Sequence, residues 1–161
     1  MYVGKLSSRG RLYEGGNERL RYKIELPCFE KCEKINEFYS ETLNNCELFC
    51  KEKLFGELCG DSVEKEKKRY SYELNFRVTH NDGKTVSLLL KARLACGWEC
   101  LHECVVAMNW SVTDEYMLPP KLLLSHYREK GQRIKAEEGL FLKDGRLESL
   151  HNSGGRVFLS K

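Results

Sequence analysis

The feature that most constrains the fold is a long run of alternating apolar and polar residues between Tyr70 and Thr113. In its first part the even positions are apolar and the odd positions are polar, which is the period of a half-buried β-strand. After Asn81-Asp82-Gly83, apolar residues again occupy the even positions from Val86 to Cys96. Because Asn, Asp and Gly tolerate positive φ, the pattern predicts a tight β-hairpin.

Further strands are predicted on both sides of this hairpin. Apolar even positions from Cys104 to Val112 predict a third strand, so that residues 70–80, 84–96 and 100–113 form an antiparallel meander with its even side chains facing one core. Before it, alternation from Leu20 to Leu26 predicts a strand that ends at Pro27. Residues 1–17, rich in Gly, Ser and Arg, are poorly specified and predict only one short strand.

Two helices are predicted from the other apolar patterns. From Phe29 to Phe55 apolar residues recur at steps of three and four, which predicts a long amphipathic helix that covers the apolar face of the hairpin and ends at Gly56 and Gly60. Pro119-Pro120 opens a second helix, over residues 121–137, with Gly139 as its cap. Asp144-Gly145 predicts a second hairpin turn, and residues 156–160 predict a final strand.

The order of these elements predicts the fold class. Strands and helices segregate along the chain rather than alternate, which is typical of α+β proteins. We therefore predict one α+β domain over residues 1–161, in which an antiparallel β-meander packs against the long N-terminal helix and a second, C-terminal helix.

Charge and hydropathy exclude several classes of partner. The 27 basic and 24 acidic residues give a formal net charge of +3, and no basic block is interleaved with aromatic residues, so we expect no nucleic-acid partner. The sequence contains no run of about 18 apolar residues, and its N-terminus lacks the apolar segment of a signal peptide. We therefore expect no membrane span, and a cytoplasmic protein as the chain is written, or a cell-surface protein if a signal or anchor has been removed.

The eight cysteines include a local cluster in the segment CGWECLHEC, formed by Cys96, Cys100, Cys104 and His102. If Gly97-Trp98-Glu99 is the turn between two strands, Cys96 and Cys100 face each other at a distance suited to a disulfide or a metal. A Cys₃His zinc site is then geometrically conceivable, although no C-x-x-C spacing occurs. Redox chemistry is a further alternative, but burial as small apolar side chains is the commoner fate of cysteines, and we expect no bound metal.

The remaining cysteines fall into two groups. Those on the apolar stripe of the long helix have the i, i+4 spacing that could hold a metal, but the core requires these positions in any case; they are Cys28, Cys32, Cys46 and Cys50. Cys59 lies in a predicted loop, and we expect it to be the most accessible thiol.

Catalytic motifs are absent from the sequence, and one aromatic residue stands out instead. The four histidines are scattered, with no H-E-x-x-H, G-x-S-x-G or phosphate-loop motif, so we expect neither an enzyme nor a cofactor. Trp98 lies at a predicted turn, and tryptophan is enriched at binding hot spots. Trp98, Glu99 and His102 are therefore the candidate ligand contacts, unless the indole ring folds back over the edge of the sheet.

The order of elements resembles a bacterial domain family of unknown function. That family includes the extracellular lysozyme-sensing domain of an anti-sigma factor and the accessory domain of certain peptidoglycan deacetylases. The likeness extends from Leu20 to Leu159 and comprises a strand that runs to Pro27, an Ile35-Asn36 pair opening the helix, and an inner strand with Ser87-Leu88-Leu89-Leu90. The family's Gly-Gly-x-His-Gly stretch is replaced here by residues 96–99, and no site residue carries over.

The resemblance implies an uncharacterised bacterial binding or sensing domain that is not an enzyme and whose ligand is a protein or a glycan related to the cell wall. The alternative from the residues themselves is a metal- or thiol-based module centred on Cys96, Cys100, His102 and Cys104.

Overall fold

A six-stranded sheet forms the framework of the chain in a computed structural model that describes residues 1–59 and 68–153. Its strands lie side by side in chain order: β1 (Val3–Glu14), β2 (Asn17–Phe29), β3 (Tyr70–Asn81), β4 (Thr85–Cys96), β5 (Glu99–Ser111) and β6 (Tyr116–Met117). The α+β class and the central meander of β3, β4 and β5 are confirmed. The prediction of a wholly antiparallel sheet is wrong at one place, because β2 and β3 pair in parallel.

The parallel pair follows from the connection between its strands. Parallel strands need a crossover, because the chain must return to the end of the sheet from which it started. Here the crossover contains α1 (Glu33–Leu48), which continues directly into a π-helical segment (Phe49–Leu54) and α2 (Phe55–Leu58). The predicted helix end at Gly56 is wrong, since Gly56 lies within α2, and the other predicted end, Gly60, lies outside the described residues. It is exposed and without a close neighbour, so it costs only about 1 kcal/mol of helix propensity relative to alanine.

The main core lies between this helix and the even-numbered face of the sheet, as the alternation predicts. Ile35 and Tyr39 of α1 are fully buried against residues such as Ile24 and Leu88 of the strands. The Trp110 indole Nε1–H donates a hydrogen bond of 2.7 Å to the Tyr39 hydroxyl, which joins the helix to β5.

The opposite face of the sheet is also covered, which the single-core prediction missed. A second hairpin, β7 (Leu140–Lys143) and β8 (Arg146–Ser149), packs across β3, β4 and β5 and buries Phe141 against Leu89. The polar residues beneath it are paired with its backbone: the Ser87 hydroxyl accepts from the Leu142 N–H, and the Asn109 amide donates to the carbonyl of β7's first residue. Such side chains resemble a solvated face in the sequence, although here they are buried.

The second helix is shorter than predicted and packs elsewhere. It is α3 (Pro120–Tyr127), and it contacts β7 and β8 instead of the apolar face of the meander. Gly131 has a φ of 84°, outside the helical range, and the Gln132 side chain donates to the Leu147 carbonyl. These features hold the chain after α3 in an irregular path. A 3₁₀ turn (Ala136–Glu138) and α4 (Leu150–Ser153) complete the described elements, and the predicted strand over 156–160 lies outside them.

The N-terminal segment forms a full strand, although only a short one was predicted. β1 pairs with β2 along its whole length. At Gly10 the ring of Tyr22 lies across the strand, where a Cβ would come within 2.3 Å of the ring carbon Cζ. An aromatic ring over a cross-strand glycine compensates for the missing side chain, so the strand forms without an apolar pattern of its own.

Candidate functional site

The turn between β4 and β5 presents a fully exposed tryptophan. Cys96 pairs with Glu99, so the turn consists of two residues, Gly97 and Trp98, and not of the three that were predicted. Gly97 has a φ of 59°, which is the conformation that a two-residue hairpin turn requires. The Trp98 side chain is fully exposed, so its indole ring projects into solvent and does not fold over the sheet.

A change of register next to this turn separates the cysteines of the cluster. Ala95 lies opposite Cys100, while the preceding Leu94 lies opposite His102, so Leu101 is an additional residue in β5. An extra residue of this kind reverses the side to which the following side chains point. Cys100 therefore lies on the odd-numbered face, whereas His102 and Cys104 lie on the even-numbered face, where both are exposed.

This geometry bears on the alternative of a metal or disulfide site at the cysteine cluster. The expected pairing of Cys96 with Cys100 is wrong, because the two-residue turn places Glu99 opposite Cys96. The histidine and the three cysteines are divided between the two faces of the sheet. Within residues 1–59 and 68–153, no three His, Cys, Asp or Glu side chains lie close enough together to hold a metal ion.

The outer edge of β5 adds a second feature to this end of the sheet. In the part of the chain that the structure describes, β6 pairs only with Trp110 and Ser111, so no strand pairs with the outer edge from Glu99 to Ala107. The side chains from Glu99 to Cys104 are all exposed. We refer to this region as the β5 surface; its apolar members are Trp98, Leu101 and Val106, which are all exposed, and its polar members include Glu99 and His102.

The thiols differ widely in accessibility. Cys100 and Cys104 are exposed, whereas Cys59 is only half-buried, so the prediction that Cys59 is the most accessible thiol is wrong. Burial raises the pKa of Cys59, and Glu14 raises it further. Burial also raises the pKa of Cys50 to about 12, which makes this helical thiol unreactive at neutral pH. Cys50 in the π-helical segment and Cys32 immediately before α1 fill the core, as expected.

A cleft that the sequence reading missed lies on the odd-numbered face of β1, β2 and β3. Its volume is about 530 Å³, and its basic lining residues are Arg9, Arg11, Arg21 and Lys23. The sequence signal was present: basic residues alternate at a period of two on both sides of Gly15-Gly16, so the β1–β2 hairpin brings them to one face.

Comparison with known proteins gives likenesses of fold to solved structures. No family model and no curated protein matches the chain. The chain is similar to a solved DUF3298 family protein from Pseudomonas aeruginosa, with 12% identity and a TM-score of 0.47 over 75% of this chain and 56% of that one. It is also similar to a member of the same family from Bacteroides fragilis, with 7% identity and a TM-score of 0.44 over 75% of this chain and 60% of that one.

These likenesses concern bacterial proteins of a family described only by its number. The chain spans less than two thirds of the length of either neighbour. The relationship to an anti-sigma factor and to peptidoglycan deacetylases stays a prediction. No described helix is both long and apolar enough to cross a membrane.

Proposed function

We propose that this chain is a non-enzymatic binding module that engages a protein partner through the β5 surface. The observation that carries the proposal is the full exposure of Trp98 at a hairpin turn, next to a strand edge that no described strand covers.

The exposed tryptophan supplies the energetic argument. Burying an aromatic side chain removes about 150–250 Å² of surface from water, and apolar area is worth about 25 cal/mol per Å². The gross gain is therefore about 4–6 kcal/mol before the costs of association are subtracted. A ring that contributes nothing to the core of its own chain is available for such a contact.

The strand edge favours a protein partner over a glycan. The outer edge of β5 presents backbone N–H and C=O groups in the alternating order that an added β-strand can pair with. Only another polypeptide offers the complementary series at the same spacing. Leu101 and Val106 supply exposed apolar side chains along this edge, and Glu99 and His102 supply a polar rim.

The test replaces Trp98 with a photo-crosslinking aromatic amino acid, with the same replacement at Tyr2 as the matched control. Tyr2 is also an exposed aromatic residue, but it precedes β1 at the other edge of the sheet. We expect position 98, but not position 2, to crosslink to one protein of the source cells, and excess unmodified chain to suppress the product. Crosslinking to a glycan, or equal products from both positions, would contradict the proposal.

A further inference from the structure

Two alternate cross-strand pairs in the β1–β2 hairpin bring like charges together on one face of the sheet. Arg9 lies opposite Lys23, and Arg11 lies opposite Arg21. All four residues have odd numbers in regular strand segments, so they share the face of the sheet that points away from α1. Side chains directly opposite in an antiparallel pair have Cβ atoms about 4.5–5.5 Å apart, and like charges in such pairs are destabilising.

The same face of the sheet is arranged differently in its other strands. Glu73 of β3 lies opposite Arg93 of β4, which in turn lies opposite Glu103 of β5, so the charges alternate in sign. Lys91 and Glu103 also form an ion pair of 3.1 Å. Charge complementarity is thus present across β3, β4 and β5 and extends to Lys23 of β2, which lies opposite Glu73, whereas like charges lie opposite each other within the β1–β2 hairpin.

Neighbouring carboxylates offset this repulsion only in part. Glu18 accepts a hydrogen bond of 3.0 Å from Arg21 and lies 3.8 Å from the Nε of Arg11, while Glu25 lies 3.1 Å from the Lys23 ammonium. The hydrogen bond from Arg21 lowers the pKa of Glu18, so the Glu18 carboxylate is ionised at neutral pH and already paired with these arginines. Arg9 forms no ion pair with any residue that the structure describes.

A cleft lies directly over these four cations. Its volume of about 530 Å³ is within the range of small-molecule sites. On the β3 side it is bounded by Ser71 and Glu73, which offer a hydroxyl and a carboxylate to polar groups of a ligand. This face of the sheet therefore combines four neighbouring cations with a partly open cleft.

We propose that this cleft binds a small ligand that carries two or more phosphate groups. Three of the four cations are arginines, whose planar guanidinium groups match phosphate oxygens in a bidentate manner. A terminal phosphate has a charge of about −1.5 to −2 at neutral pH and three acceptor oxygens, so two phosphates supply negative charge and acceptors to cations that Glu18 and Glu25 neutralise only in part. An acidic peptide would need four separate carboxylates at four matching positions, which makes it the weaker candidate.

The test is titration calorimetry of the whole chain with tripolyphosphate at low salt. We expect binding at 1:1 stoichiometry, and at least tenfold weaker binding of orthophosphate, which can neutralise fewer of the cations. Arg9→Gln and Arg11→Gln should each weaken tripolyphosphate binding about tenfold, the effect of losing one charge-assisted hydrogen bond. The matched control is Lys121→Gln, which removes the same charge from an exposed position in α3 and should leave the affinity unchanged.

Thermal unfolding without ligand separates binding from folding. Because Arg9 faces a like charge, Arg9→Gln should unfold at the same temperature as the unmodified chain or at a higher one, while tripolyphosphate should stabilise it less. The proposal is overturned if tripolyphosphate does not bind at millimolar concentration, or if Lys121→Gln weakens binding as much as Arg9→Gln. It is also overturned if a glutamate peptide binds more tightly than tripolyphosphate. None of these outcomes bears on the β5 surface.

Discussion

The hydrogen bond between Tyr39 and Trp110 gives a direct test of how the helix is attached to the sheet. The Tyr39 hydroxyl accepts from the Trp110 Nε1–H at 2.7 Å and lies 3.5 Å from the Met108 sulfur. Both aromatic residues are buried. Burial raises the pKa of Tyr39, so its hydroxyl stays neutral at all ordinary pH values. Tyr39→Phe removes this single oxygen and leaves the ring in place, stacked on Phe29.

The expected cost follows from the donor that is left behind. A buried N–H without a partner costs about 1–3 kcal/mol, and the lost oxygen leaves too small a space for a compensating water. In a chain of this size each kcal/mol lowers the midpoint of thermal unfolding by about 2–4 °C, so we expect a fall of about 2–12 °C. In urea the midpoint should fall while the dependence of the unfolding free energy on urea stays the same.

Tyr2→Phe is the matched control, because it removes the same oxygen from an exposed ring. It should change the unfolding free energy by less than about 0.5 kcal/mol. If Tyr39→Phe is as stable as this control, the Trp110 N–H is not confined to a buried site, and the described packing of α1 on β5 is wrong.

Two further predictions concern the thiols and the turn between β3 and β4. With a thiol reagent at neutral pH and no denaturant, Cys100 should react in the first phase and Cys50 only on unfolding, because Cys50 is buried and its pKa is raised. Mass spectrometry of the labelled peptides measures the order of reaction. Early labelling of Cys50 would contradict the described packing of this thiol. The Asp82 carboxylate accepts from the backbone N–H groups of Thr85 and Lys84 at 2.7 and 2.8 Å, which lowers its pKa. The charged carboxylate therefore stabilises the folded state above the ordinary carboxyl pKa, and this stabilisation is lost as pH falls through the lowered value. Asp82→Asn should be less stable than the unmodified chain at pH 7, and urea unfolding at a series of pH values should show the difference in stability disappear in acid. A difference that stays constant with pH would contradict the role of the charge.

The strands that the sequence predicts well are those in which alternation of apolar and polar residues results directly from burial of one face. Alternation in β3 and β4 identified both strands because their even positions face the core beneath the amphipathic helix. β1 was underestimated because its regular pairing depends on β2, and the Tyr22 ring over Gly10 replaces an apolar pattern. The parallel pairing of β2 with β3 has no local signal at all, since it is a consequence of where the helix returns the chain.

The candidate site was predicted less completely. The hairpin turn around Trp98 was located correctly to within one residue, but the extra residue Leu101 in β5 was not, because inserting one residue leaves the composition of the strand unchanged. That single residue places Cys100 and His102 on different faces and removes the basis of the alternative Cys₃His site. The basic cleft was not predicted because the net charge of the whole chain does not show where the basic residues lie. Arg9 and Lys23 are 14 residues apart in the chain but directly opposite each other in the sheet.

The most direct test of the β5 surface is the affinity of the crosslinked partner for the Trp98→Ala chain, measured beside the Tyr2→Ala chain. Trp98 touches no core residue, so its removal should leave the free energy of unfolding within about 0.5 kcal/mol of the unmodified chain. A hot-spot contact is worth about 2 kcal/mol or more, so the Trp98→Ala chain should bind at least about 30-fold more weakly, while the Tyr2→Ala chain binds normally. Equal affinities of the two variants would show that the exposed tryptophan is not the binding contact.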